Sequence, residues 1–213
     1  SDRAESSMHA MEGHGQPEGQ PAGGVLEGFF GGDSAVGQSP TDPLPTTRLF
    51  AAGGDWTDSQ GKTVRLAQWE GHPVLLGFVF THCPDMCPTL VQNLKKALAR
   101  LPPATRDNTR VILVSFDPQR DTPAALDAFA KKYGLASPVW TLLRAPEETL
   151  RPLAQAVGFY SEKAGKGFSH IQLVLAANSR GVFTRRFQRG LENSDWLAGK
   201  LDQALNASQP LRD

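Results

Sequence analysis

The sequence predicts an α/β fold, with a central, mostly parallel sheet, helices on both faces and a C-terminal β-hairpin. Three observations carry that expectation. Strand-type apolar runs alternate with stretches of helical periodicity from residue 73 onward, the pattern of successive strand–helix–strand units. The run at 73–80 is almost continuously apolar, as suits a parallel strand covered on both sides. Residues 171–176 and 182–187 are two further strand-like stretches separated by Asn178-Ser179-Arg180-Gly181, a turn sequence that predicts an antiparallel pair.

Taken in order, residues 1–45 are rich in Gly, Pro, Ser, Gln and Glu. Such a stretch buries too little apolar surface to offset its ordering entropy, so a mobile tail is expected. The island Val25-Leu26-Glu27-Gly28-Phe29-Phe30 is the exception, with a composition suited to docking. The domain is expected over 46–207, followed by a short tail at 208–213. Alternation in Thr63-Val64-Arg65-Leu66, after the turn Asp58-Ser59-Gln60-Gly61-Lys62, predicts a hairpin strand. After the 73–80 strand, Leu90, Val91, Leu94, Leu98 and Leu101 recur at helical spacing up to Pro102-Pro103. Pro88 fits the first helical position, where its missing N–H costs nothing. That places Cys87 at or next to the N-cap and Cys83 in the preceding turn. A strand at 110–116, a helix at 123–133 ended by Gly134, a strand around 139–143, a helix at about 146–157 and a last helix at 194–205 complete the domain.

Of the 213 residues, 39% are hydrophobic and 21% charged, which suits one globular domain with a real core plus tails. Zero formal net charge and the lack of a basic stripe argue against nucleic acid as a partner. No apolar stretch approaches the ~20 residues that span a bilayer. A chain that opens on Ser1 is expected to have lost an upstream segment, and a signal peptide or membrane anchor fits that start.

The chemistry concentrates in Thr81-His82-Cys83-Pro84-Asp85-Met86-Cys87-Pro88, which holds both cysteines of the chain. A disulfide across so short a loop removes little entropy from the unfolded chain and is a poor staple. The pair suits redox exchange or a soft metal ion. Its prolines and aspartate favour a turn over a core segment. Both sulfurs are expected near the positive end of a helix dipole, which favours thiolate, with Asp85 opposing it or serving as a turn or cap residue. His82 adjoins Cys83, but neighbouring residues on an extended chain point to opposite sides. His72, between Gly71 and Pro73, reads as a turn residue. His170 closes Gly165-Lys166-Gly167-Phe168-Ser169-His170, a glycine-flanked loop at a strand entry from which an imidazole can reach a neighbouring strand end. In the segment at 117–123, Thr122 is the expected N-cap and Pro123 the first helical residue. Asp117 and Arg120 there are expected to fix the loop rather than do chemistry. Met8, His9, Met11 and His14 form a thioether and imidazole cluster in the tail, expected to be accessory at most.

Taken together, three pieces resemble the Sco/SenC family of copper-handling, thioredoxin-like proteins: the segment at 75–88, Val114-Ser115-Phe116-Asp117-Pro118-Gln119-Arg120-Asp121-Thr122-Pro123, and Phe168-Ser169-His170. The resemblance covers roughly residues 54–205. It implies a thioredoxin-like fold, with Cys83, Cys87 and His170 holding Cu(I) or Cu(II) and Cys83 and Cys87 also able to act as a redox dithiol. It further implies a cuproprotein client, such as a copper-site subunit of cytochrome c oxidase, and a thiol–disulfide reductant as partners. Placement would be periplasmic or otherwise extracytoplasmic, with a membrane anchor in the precursor. Thiolates and imidazole are suitable donors for that metal. The turn at 177–181 lacks the aspartate usual in the family, and His72 stands where lysine is common. A thiol–disulfide oxidoreductase that reduces client cysteines uses the same dithiol. A peroxidase of the peroxiredoxin or glutathione-peroxidase kind would need a threonine–cysteine–arginine constellation that the sequence does not offer.

Overall fold

The computed structural model describes residues 43–211; the tail cluster of Met8, His9, Met11 and His14 and the island at 25–30 lie outside them. A short 3-10 turn, Leu49–Ala51, leads into the hairpin of β1 (Trp56–Asp58) and β2 (Thr63–Val64), and a second 3-10 turn, Leu66–Trp69, precedes the central strand β3 (Val74–Val79). There follow α1 (Met86–Ala99), α2 (Pro103–Asn108), β4 (Arg110–Ser115), α3 (Pro123–Tyr133), β5 (Trp140–Arg144) and α4 (Glu147–Val157). The chain ends with β6 (Ser161–Ala164), β7 (Gly167–His170), β8 (Val174–Ala177), β9 (Phe183–Phe187) and α5 (Ser194–Asn206).

Seven strands form one sheet in the order β2-β1-β5-β4-β3-β8-β9. Its centre, β5-β4-β3, is parallel, whereas β1 and β8 join it antiparallel and β9 extends β8 as an antiparallel hairpin. Every residue of β3 is buried, which accounts for the unbroken apolar run. Both crossovers, β3–α1–β4 and β4–α3–β5, step the same way across the sheet, so their shared right hand puts α1 and α3 on one face. There α1 touches both α3 and α5. Helix α4 makes no comparable contact with these helices; its Thr149, Pro152, Leu153 and Ala156 line an open groove together with Ala51 of the first 3-10 turn and Phe183.

Local signals placed several boundaries well. Helix α3 begins with Thr122 Oγ1 accepting from Ala125 N at 3.2 Å and ends at Gly134, whose φ of 64° is left-handed, a conformation glycine adopts without Cβ strain. Four expectations need correction. Helix α1 starts at Met86, not Pro88: Thr89 N–H already bonds Asp85 C=O at 3.1 Å. Pro88 is therefore the third helical residue, still among the positions whose N–H has no partner within the helix. Pro102-Pro103 stops α1 but also starts the short α2, with Pro103 at its first position. The strand expected from 171 begins at Val174. Finally, residues 161–170 are no loop: β6 and β7 pair as a separate two-stranded sheet with Ser161 opposite His170.

Candidate metal centre

The chain leaves β3 at its C-terminal end and turns through Thr81 to Pro84 before entering α1. That turn brings Cys83 over the first turn of the helix, where Cys87 N–H points at Cys83 Sγ at 3.3 Å. Cys87 is only 1% exposed and Cys83 9%. Burial is the main force on Cys87 and pushes its thiol well above the usual range; the charges of Cys83 and Asp121 push the same way. Burial thus works against the thiolate that the helix N-terminus would favour at Cys87, and the carboxylate that bears on it is Asp121 rather than Asp85. Asp85 supplies the cap backbone without a side-chain cap bond.

His170, the last residue of β7, comes to the same place from the other side. The donor atoms of Cys83, Cys87 and His170 lie within 4.8 Å of one another. Bonds of roughly 2.0–2.3 Å from thiolate and imidazole to one ion would bring donors to about 3.5–4.5 Å apart, so the trio needs only a small closure. The ring sits among Phe116 (4.9 Å between centroids), Phe80 (6.0 Å) and Phe159 (6.5 Å). This burial pushes the imidazole pKa down, opposed by the bond between Nδ1 and Ile171 C=O at 3.0 Å. A carbonyl only accepts, so Nδ1 carries the proton and Nε2 keeps its lone pair for a ligand. An open groove of about 330 Å³, lined by His82, Cys83, Pro84, Phe129 and Tyr133 among others, gives access beside the cysteines.

A buried polar brace supports both halves of the site. Asp121, fully buried, accepts from Thr81 N (3.1 Å), Thr81 Oγ1 (2.6 Å) and Ser115 Oγ (2.6 Å). Asp117, also buried, accepts from Arg120 Nε at 2.5 Å. The segment fixes the loop, as expected, but the extent of Asp121's role was not visible in the sequence. His82, Asp117 and Asp121 also form a group with donors within 4.8 Å. The two carboxylates are engaged by Thr81, Ser115 and Arg120, and His82 Nδ1 lies 3.1 Å from Thr81 Oγ1 and 3.6 Å from Asp121 Oδ1. His72 is the expected turn residue, its ring 3.0 Å from Asn108 C=O.

A thioredoxin-like sheet whose first crossover helix opens on two thiols, faced by an imidazole from a later hairpin, defines a class of thiol-bearing proteins with a donor set for soft metals. Residues 48–206 match the family model described as SCO1/SenC, and the chain belongs to that family. It is 33% identical over 86 residues to the SCO1 protein homolog of Bacillus subtilis, a match covering 40% of this chain and 44% of the relative. The chain spans less than half the length of the first curated relatives it matches. Among solved structures it is similar to Bradyrhizobium japonicum ScoI with copper bound (27% identity, TM-score 0.61, covering 73% of this chain and all of that one). It is also similar to apo Sco1 of Thermus thermophilus (30% identity, TM-score 0.58, covering 78% of this chain and all of that one).

Proposed function

We propose that this protein is a copper-binding assembly factor in which Cys83, Cys87 and His170 hold Cu(I) or Cu(II), and that it delivers copper to, or prepares, the copper site of a respiratory oxidase or another cuproprotein. The observation that carries the reading is the convergence of two sulfurs and one imidazole within 4.8 Å from distant parts of the chain. The similar ScoI structure with copper bound supports the choice of metal. Copper here is cargo. Cys83 and Cys87 supply soft donors that favour Cu(I), and His170 Nε2 adds a borderline donor that suits Cu(II) as well. Among the described residues no helix is long and apolar enough to cross a membrane; extracytoplasmic placement with an anchor elsewhere in the precursor belongs to this reading.

Copper titration of the reduced protein tests it. Cys83→Ser and Cys87→Ser should each abolish tight binding, because hydroxyl replaces thiolate poorly toward copper. His170→Ala should weaken Cu(II) more than Cu(I), since two thiolates still hold the softer ion. Unchanged Cu(II) binding by His170→Ala would refute the three-ligand set.

A second reading, thiol–disulfide exchange with client cysteines, is favoured by the direct Cys87 N–H to Cys83 Sγ contact and by the groove beside Cys83. Turnover with a disulfide substrate such as insulin, in the absence of copper, separates it from the first.

A further inference from the structure

His170 approaches the dithiol on a hairpin that belongs to a different sheet from the strand leading to Cys83. No shared backbone ladder sets the distance between imidazole and sulfurs, so contacts between the hairpin and the domain must. Several of these converge on Arg120. Its Nη1 donates to Lys166 C=O at the hairpin's turn, at 3.1 Å. Its guanidinium carbon lies 5.8 Å from the centre of the Phe168 ring, within the range of a cation–π contact. Its Nε is anchored at 2.5 Å by the buried Asp117 carboxylate. Phe168 stands two residues before His170, on the same side of β7, and packs edge-on to Phe80 and Phe116, the rings that also flank His170.

We infer that Arg120 is a positioning residue that latches the β6–β7 hairpin to the loop after β4 and thereby holds His170 against Cys83 and Cys87. The inference deepens the copper reading and rests on it for its consequence. Asp121, the next residue, holds Thr81, two residues before Cys83. One short loop therefore braces both ligand-bearing segments, one through each neighbour. Lysine is a poor replacement. A single ammonium lacks the planar fork that reaches Asp117 and Lys166 C=O at once while keeping its charge over Phe168.

The test compares Arg120→Lys, which keeps a cation for Asp117, with the double variant Arg120→Ala/Asp117→Asn, which leaves no buried carboxylate unpaired. Circular dichroism first establishes that both fold. In the metal-free protein, amide hydrogen exchange at residues 168–171 should be at least ~10-fold faster than wild type in both variants, while β3 and β4 stay protected. The His170 ring resonances should shift in the same samples. Loaded with Cu(II), both variants should move spectroscopically toward His170→Ala. Wild-type exchange across the hairpin, or loosening shared equally by β3 and β4, would overturn the latch. A wild-type Cu(II) spectrum for His170→Ala would instead overturn the ligand set, and the metal-free exchange would still decide the role of Arg120.

Discussion

Replacing Asp121 with alanine is expected to be among the most damaging single changes near the site, and its cost follows from the hydrogen bonds it removes. The carboxylate is fully buried and receives three donors: Thr81 N–H, Thr81 O–H and Ser115 O–H. Each donor left buried without a partner costs about 1–3 kcal/mol. Losing the burial penalty of the charge itself offsets part of that, and water entering the space left by the carboxyl recovers more. A net loss of about 3–5 kcal/mol is the result, in the range for breaking a buried charged network. At roughly 2–4 °C per kcal/mol for a chain of this size, the midpoint should fall by about 6–20 °C. Asp121→Asn keeps the volume and one acceptor oxygen, so its cost should be intermediate. Its amide nitrogen offers no acceptor to Ser115, whose oxygen already accepts from Asp117 N–H at 3.1 Å.

The assay is urea unfolding followed by circular dichroism for wild type, Asp121→Asn and Asp121→Ala. A Thr81→Val partner variant completes a double-mutant cycle for the contact. Because Thr81 lies two residues before Cys83, Asp121→Ala should also weaken copper binding under conditions where it remains folded. An Asp121→Ala cost below about 1 kcal/mol, or additive effects of Asp121→Ala and Thr81→Val, would refute the reasoning.

Three further outcomes are expected. Gly181→Ala forces a side chain onto a φ of 75° and sets its Cβ 2.8 Å from Phe50 Cδ2; left-handed strain of about 1–2 kcal/mol and crowding of about 1–3 kcal/mol should lower stability by about 2–5 kcal/mol in chemical denaturation. Asp127 has its pKa held down chiefly by its hydrogen bond from Lys131, with a further bond from Gln60, so its stabilisation is present above the usual carboxylate range and is lost as pH falls below it; the stability gap between wild type and Asp127→Asn should narrow on acidification, and a constant gap would remove the linkage. Oxidation to the Cys83–Cys87 disulfide should abolish tight copper binding, because neither sulfur then offers a thiolate; equal affinity of oxidised and reduced protein in a titration would place the metal away from the cysteines.

What could be read from the sequence was what local chemistry dictates. Residues 73–80 announce a buried strand because nothing polar interrupts them, and Thr122, Pro123 and Gly134 mark both ends of α3 by capping and φ preference alone. The β6–β7 hairpin had no such signal. Ser161-Glu162-Lys163-Ala164 is mostly exposed and carries no apolar alternation, so its strand state comes from pairing with β7 around Gly165, where φ is 58°. Asp121 reads as an ordinary loop acid; its burial depends on Thr81, forty residues earlier in the chain. His170 could be joined to the cysteines only by family resemblance, because the contact spans most of the domain and its hairpin announces nothing about where it packs.

The state of Cys87 illustrates how two correct principles can be weighed wrongly. A helix N-terminus stabilises a nearby anion by typically 0.3–1 kcal/mol and at most ~2 kcal/mol. Complete burial disfavours a charge by as much as roughly 4–7 kcal/mol. Which one governs depends on whether the residue sits at the cap, facing solvent, or inside the first turn, facing the core. Pro88 at the first helical position would place Cys87 at the cap, where the dipole has a say. The helix instead starts at Met86, and Cys87 is its second residue. Cys87 then opens the stripe continued by Leu90, Val91, Leu94 and Leu98, all buried. That i, i+3, i+4, i+7 and i+11 spacing is the core face of a helix, and it was present in the sequence. Counting Cys87 as the first member of the stripe, rather than as the residue before it, assigns the sulfur to the interior, where burial pushes its thiol pKa up.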